Sequence, residues 1–225
     1  MGGAALPLEL DNLLLVEYFL DQTGKRNPRV CFIGAAHGDA DAGRLRFYAG
    51  FSRFRCRPTH LPLFARTPRD LEDFVRSQDA VFVGGGNTRS LLAVWREWEL
   101  DRILRAAWED GVVLGGASAG SICWFEHGVT DSVAGPLTAM PCLGFLAGSN
   151  CPHYDSEPLR RPSYRRMVAR GELPGGLAAE DGVALHFEGT RLKRIVGNRR
   201  GAAAWELRRS GRRAIETRLA AKFLG

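Results

Sequence analysis

The chain lacks most of the features that assign a sequence quickly. It has no run of the roughly 18 apolar residues needed to cross a bilayer. Its start, MGGAALPLELDN, has neither the basic opening nor the long apolar stretch of a secretory leader. A cytoplasmic protein with no membrane partner is therefore expected. The five cysteines (Cys31, Cys56, Cys123, Cys142, Cys151) are odd in number, scattered, and form no CxxC pair. Neither a zinc knuckle nor a disulfide framework follows from them. Cys31 and Cys123 sit in apolar runs and read as core thiols, and reduced thiols fit a cytosol. No two of the five histidines have metal-ligand spacing, so no metal and no other cofactor is expected. Lysine is nearly absent, with three among 31 basic residues. The net charge of +6 is carried by arginines spread along the chain among acids, without interleaved aromatics. That pattern argues against nucleic-acid binding, although arginine near a pocket attracts acidic substrates.

What is present suits one α/β domain spanning 1–225. The 225 residues are 45% hydrophobic and 25% charged, with no internal repeat or low-complexity linker. Residues 8–22 are apolar on a helical period, and Gly24 follows as a stop. RVCFIGAA (29–36), DAVFVGGGNT (79–88) and GVVLGGASAG (111–120) are short apolar runs that break into small residues. They read as buried strands, each followed by a loop. Helices are expected at 40–54, 69–77 and, as one or two pieces, 88–110, with Trp95, Trp98 and Trp108 as packing residues. The segment 56–64 reads as extended. Later strand candidates are 182–187, 194–197 and 202–207. Apolar strands alternating with helices indicate parallel βαβ units. The expected fold is a three-layer α/β sandwich with a mostly parallel, doubly wound sheet, whose ligands bind at the carboxyl ends of the strands. Such folds often open with a strand. Here either the helix 8–22 leads, or an opening strand is missing.

Gly116-Ala117-Ser118-Ala119-Gly120 matches the G-x-S-x-G elbow, in which a serine is lifted from the sheet at a sharp strand-to-helix turn. A serine hydroxyl needs a base, an orienter for that base and donors for the oxyanion. The bland alternative is a serine capping the next helix. In GGGNT (84–88), converging backbone N–H groups form an anion nest. Gly85, Gly86 and the Ala119 N–H are the candidate oxyanion hole, and Asn87 either caps the next helix or lines the site. The spacing fits neither phosphate-loop pattern. Among the histidines, His153 in NCPHYDSE stands out as the base, and His37 in the first strand-end loop is second. His60, His127 and His186 read as structural.

In this order and spacing, DAVFVGGGNT, GGASAGSICWFE, TDS and CPHYDSE resemble the peptidase E (dipeptidase E, alpha-aspartyl dipeptidase) family of serine peptidases, to which cyanophycinases are related. The similarity runs from about RVCFIGAAHGD to EDGVALHF. It implies a class I glutamine-amidotransferase-like fold and cleavage after an N-terminal aspartate in small peptides. It matches the nucleophile to Ser118 and the histidine to His153. For the acidic third member the resemblance puts Glu180 first, Asp131 second and Asp181 third. Asp155, two residues from His153, is too close in an extended chain to reach its ring. The substrate β-carboxylate needs a cation: Arg160 and Arg161 are the candidates, and Arg161 better resembles the family's substrate arginine. Glu157 positions that arginine or holds the substrate amine. The first loop, GAAHGD, departs from the small Thr-Ala-Ser type of this branch by carrying His37. The expected partner is a small peptide, with homodimerisation left open. A non-catalytic metabolite-binding relative and an amidohydrolase or acyltransferase using the same Ser-His site are the alternatives.

Overall fold

A computed structural model describes residues 1–3 and 12–225. The chain divides into two compact units, 6–120 and 1–5 with 121–225. Each is described in turn.

The first unit is a parallel sheet with helices. In chain order it holds α1 (Leu14–Asp21), β1 (Arg29–Ile33), α2 (Asp41–Phe51), β2 (Arg57–Leu61), α3 (Leu71–Arg76), β3 (Ala80–Val83), α4 (Thr88–Glu97), α5 (Leu100–Glu109) and β4 (Val113–Gly116). The strand order is β2-β1-β3-β4, parallel throughout. Strands β1 and β3 are buried almost end to end, as strands covered on both faces must be. The chain moves outward from β1 to β2, then returns past β1 to β3. Right-handed crossovers therefore put α2 on one face and α3, α4 and α5 on the other. The order reverses between β1 and β3, and the loops after these two strands open at that switch point.

Aromatic packing holds the α2 face together. Phe32 of β1 stacks on Phe47 at 5.0 Å, and Phe19 of α1 meets Phe82 of β3 edge-on at 5.6 Å. Phe51 of α2 joins the same group, 5.6 Å from Phe82. Trp95 is fully buried as expected, but Trp98 is 41% exposed. It falls where α4 ends, because Glu99 takes a left-handed backbone (φ +52°) and splits the helical region in two. The helix expected over 8–22 begins at Leu14; residues 8–11 lie outside the described residues.

The second unit contains β5 (Phe125–Thr130), β6 (Thr138–Pro141), β7 (Leu146–Cys151), α7 (Arg160–Arg170), β8 (Gly176–Ala179), β9 (Val183–Glu188), β10 (Arg191–Gly197), β11 (Ala203–Ser210), β12 (Arg213–Ala220) and β13 (Lys222–Phe223). The short helix α6 (Ala119–Ile122) contains the division between the units. The six-stranded sheet runs β12-β11-β8-β7-β5-β6, and a three-stranded sheet runs β13-β10-β9. Strands β5, β7 and β8 are parallel neighbours, while β6, β11 and β12 run antiparallel to theirs. Helix α7 buries Tyr164, Met167 and Val168 in a cluster with Val129, Cys151, Tyr154 and Leu207. The parallel pairing of β7 and β8 carries the functional consequence: their carboxyl ends lie side by side, and the next residues are the His153 and Asp181 loops.

Candidate active site

In the first unit the elbow is built from β4 and its close approach to β3. Ser118 has φ +56°, a left-handed backbone that costs a non-glycine residue about 1–3 kcal/mol and that collects at functional positions. The flanking glycines make the corner possible. A Cβ on Gly116 would lie 2.5 Å from both the Val83 and Gly120 carbonyl oxygens, and a Cβ on Gly120 would run into the Val83 carbonyl. These obstacles are backbone, which cannot swing aside. Gly116→Ala is therefore expected to lower stability by about 1–3 kcal/mol, the usual cost of forced overpacking, measured as a lower denaturant midpoint.

The loop after β3 lies against this corner. A Cβ on Gly85 would meet the Ser118 Cβ at 3.1 Å and its Oγ at 3.7 Å, so the loop approaches Ser118 closely because residue 85 has no side chain. Gly84 N–H donates to Ile33 O at 3.0 Å and Asn87 N–H to Ala36 O at 2.9 Å. Among the described residues, the Gly85 and Gly86 N–H groups between them donate to no protein acceptor. Both glycines are partly exposed, so these N–H groups can donate to a bound ligand or to solvent. Ala119 opens α6, so its N–H has no acceptor within the helix. Asn87 caps α4, its Oδ1 accepting from Ser90 N–H at 2.9 Å.

In the second unit, His153 follows β7 and also has φ +56°. Only Asp39 and Glu99 join Ser118 and His153 as non-glycine residues of positive φ among the described residues. The His153 Nδ1 lies 2.9 Å from Asp181 Oδ1, with both side chains largely shielded. A carboxylate only accepts, so Nδ1 carries the proton and Nε2 is left as the basic nitrogen. Burial pushes the Asp181 carboxyl up. Hydrogen bonds from His153 and Ser156, with the charges of His153 and Arg199, outweigh that and leave it below the ordinary carboxylate range.

This corrects the ranking of the acids. Glu180, expected first, does not meet His153. Its Oε2 accepts from Ala203 N–H at 2.9 Å and its Oε1 from Trp205 Nε1 at 3.0 Å, tying the end of β8 to β11. Neighbouring residues leaving a strand point opposite ways, so if Glu180 faces β11 then Asp181 faces the ring. Asp131 is also spent elsewhere, 3.5 Å from the buried guanidinium of Arg160 and itself 63% exposed. Asp155 does not reach the ring, but its Oδ1 accepts from Asp181 N–H at 2.8 Å and Arg199 pairs with its other oxygen. Arg199 also donates to Asp181 O at 2.9 Å. Asp155 and Arg199 thus fix the loop that presents Asp181. Gly3 is packed flat against the pair, and a Cβ there would run into the imidazole and the Asp181 carboxylate. No sequence motif signals Gly3 or Arg199.

The arginines are engaged as well. Arg160 is 2% exposed and donates to Glu157 at 2.6 Å and to Val129 O at 2.8 Å. Glu157 therefore holds Arg160. Arg161 gives both arms of its fork to Glu216 of β12, the closer approach at 2.6 Å, and lies 4.3 Å from the centre of the Trp205 ring. Tyr154 donates its hydroxyl to the same Glu216. Burial and the Glu216 carboxylate raise the Tyr154 pKa well above the ordinary phenol value. Among the described residues no group of three or more His, Cys, Asp and Glu side chains is arranged to hold a metal, and no helix is long and apolar enough to cross a membrane.

The model of peptidase family S51 matches residues 1–195. The chain belongs to that family. A Bacillus subtilis (strain 168) relative of this S51 chain, the uncharacterized peptidase YgaJ, is 49% identical over 225 residues, all of this chain and 97% of the relative. The crystal structure of a peptidase from an acI-B1 Actinobacterium matches with a TM-score of 0.72 at 16% identity, over 98% of this chain and 92% of that one. A provisional peptidase E protein from Listeria monocytogenes EGD-e matches with a TM-score of 0.53 at 17% identity, over 91% and 93%. The S51 chain is a peptidase with the mixed α/β fold, parallel strands between helices, of these structures.

Proposed function

We propose that this S51 peptidase is a serine peptidase that hydrolyses short peptides through an acyl-enzyme on Ser118. The observation that carries the reading is the strained Ser118 corner beside two glycine N–H groups that the fold leaves unspent. In the proposed cycle, His153 Nε2 takes the Oγ proton as the oxygen bonds to the substrate carbonyl carbon. The carbonyl oxygen becomes an oxyanion, held by the N–H groups of Gly85, Gly86 and Ala119. When the tetrahedral adduct collapses, His153 gives its proton to the leaving amine and the C–N bond breaks. Water then attacks the ester. His153 takes a proton from the water and returns it to Oγ as the acid product leaves. Asp181 holds Nδ1–H and stabilises the imidazolium formed in each half.

The aspartyl substrate expected from the family resemblance needs a cation for its β-carboxylate. Arg161 is the arginine that the resemblance assigns, and the carboxylate of Glu216 already fills its fork. A substrate carboxylate would have to displace Glu216. This pairing favours a second substrate reading: short peptides without aspartyl preference, with Arg161 bracing the His153 loop. Kinetics of Arg161→Leu on Asp-Leu and Ala-Leu separate the two. If Arg161 binds the β-carboxylate, kcat/KM falls about 100-fold or more on Asp-Leu and little on Ala-Leu, the cost of losing a charge-assisted bidentate contact. Equal losses on both substrates remove the aspartyl reading.

A further inference from the structure

We infer that His37 is a positioning residue for the oxyanion hole, acting through the Gly85–Gly86 peptide. The inference rests on the reading of Ser118 as nucleophile. His37 closes the loop after β1, and its Nδ1 hydrogen-bonds the Gly85 carbonyl oxygen. A carbonyl only accepts, so Nδ1 is the donor whether the ring is neutral or charged. In a planar trans peptide the C=O and the following N–H point to opposite sides. Turning the Gly85 carbonyl toward His37 therefore turns the Gly86 N–H away from it. That N–H is one of the two that donate to no protein acceptor among the described residues, and Gly85 is the residue that lies against Ser118.

The loop needs this tether because its backbone is permissive. Gly86 has φ +130°, a conformation that glycine alone adopts readily, and three successive glycines can flip a peptide plane at little cost. The Gly84 N–H bond to Ile33 O and the Asn87 N–H bond to Ala36 O anchor the two sides of the turn, and neither engages the Gly85–Gly86 peptide itself. The imidazole is the group that fixes it. A Cβ on Gly86 would collide with that ring and with Ala36 O, so the two loops are packed for this contact. The bond also polarises the peptide, which strengthens the N–H as a donor. His37 thus presents a fixed dipole where negative charge develops, and preorganisation of this kind acts on the transition state more than on the substrate.

The test compares His37→Leu, which removes the donor, with His37→Asn, whose amide N–H replaces that of Nδ1. Wild-type enzyme is first labelled with a fluorophosphonate. Its reaction at Ser118 is required, and an unlabelled wild type overturns both the serine reading and this inference. With labelling established, His37→Leu is expected to lose roughly 10- to 100-fold in kcat, somewhat less than loss of an oxyanion donor outright, with KM little changed. Inhibition by a peptide aldehyde, which forms the same oxyanion, should weaken in parallel. His37→Asn should recover most of both losses, and all three proteins should melt alike because His37 is exposed. Unchanged kcat in His37→Leu, a loss confined to KM, or no recovery with Asn while labelling persists overturns the inference and leaves the Ser118 reading standing.

Discussion

Ser118→Ala is expected to abolish peptide hydrolysis, with a fall in kcat on the order of 10^4- to 10^6-fold, the range seen when a nucleophile that works with a base is deleted. The variant should still fold, because Ser118 contributes a hydroxyl at a corner whose shape is set by Gly116, Gly120 and Val83. A second substitution separates chemistry from architecture. At φ +56° a glycine meets no steric cost, so Ser118→Gly should be as inactive as the alanine variant and more stable than wild type by about 1 kcal/mol. Loss of activity with gain of stability is the signature of strain kept for function. Denaturant melts and steady-state kinetics on the same preparations measure both. Hydrolysis by Ser118→Ala at more than a small fraction of the wild-type rate would remove Ser118 from the mechanism.

The second large effect distinguishes two adjacent acids. Asp181→Asn should lower kcat by about 10^4-fold, because an amide that presents its oxygen or its NH2 to Nδ1 no longer secures the tautomer that carries its proton on Nδ1. Glu180→Gln should leave kcat within a fewfold, since its carboxylate serves Ala203 N–H and Trp205 Nε1. Its cost should show in stability, about 1–3 kcal/mol where a half-buried acceptor is altered. Stability against pH adds a check on Asp181. Its carboxyl is held below the ordinary range in the folded protein. Its contribution is therefore full above the unfolded value of about 3.9 and is lost as pH falls through the lower folded value. The melting difference between wild type and Asp181→Asn should accordingly be constant near neutrality and close in acid.

The parts of this arrangement differ in how far they can be read from the chain. The elbow is legible because backbone close approach leaves a composition signature: glycine two residues on either side of Ser118. Strands β1 and β3 are legible because strands buried on both faces are continuous apolar runs. Strands β7 and β8 are not, since LAGSNC and GLAA pack through small and polar residues in a sheet whose close approaches are made by Ser149, Asn150 and Gly176. Helix α7 is hidden by its arginines, one of which, Arg160, is buried as fully as Tyr164 of the same helix.

The choice between Glu180 and Asp181 depends on which way one peptide turns after β8. That turn is set by Asp155 and by Arg199, 18 residues beyond Asp181. Neither bond leaves a local pattern. The engagement of Arg161 by Glu216 spans 55 residues and depends on β12, whose alternation is masked by exposed arginines. His37 is visible in the chain as a histidine at a strand end. Its role is readable only from the fold, which brings the Gly85 carbonyl to its ring.

The central claim is that Ser118 is a nucleophile activated by His153 and set up by Asp181. Intact-mass and peptide-mapping analysis after reaction with a fluorophosphonate tests it most directly. One adduct per chain, located on Ser118 and formed far more slowly in His153→Ala, is the predicted result. A protein that hydrolyses peptides yet carries no adduct on Ser118, or is labelled equally fast without His153, would contradict it.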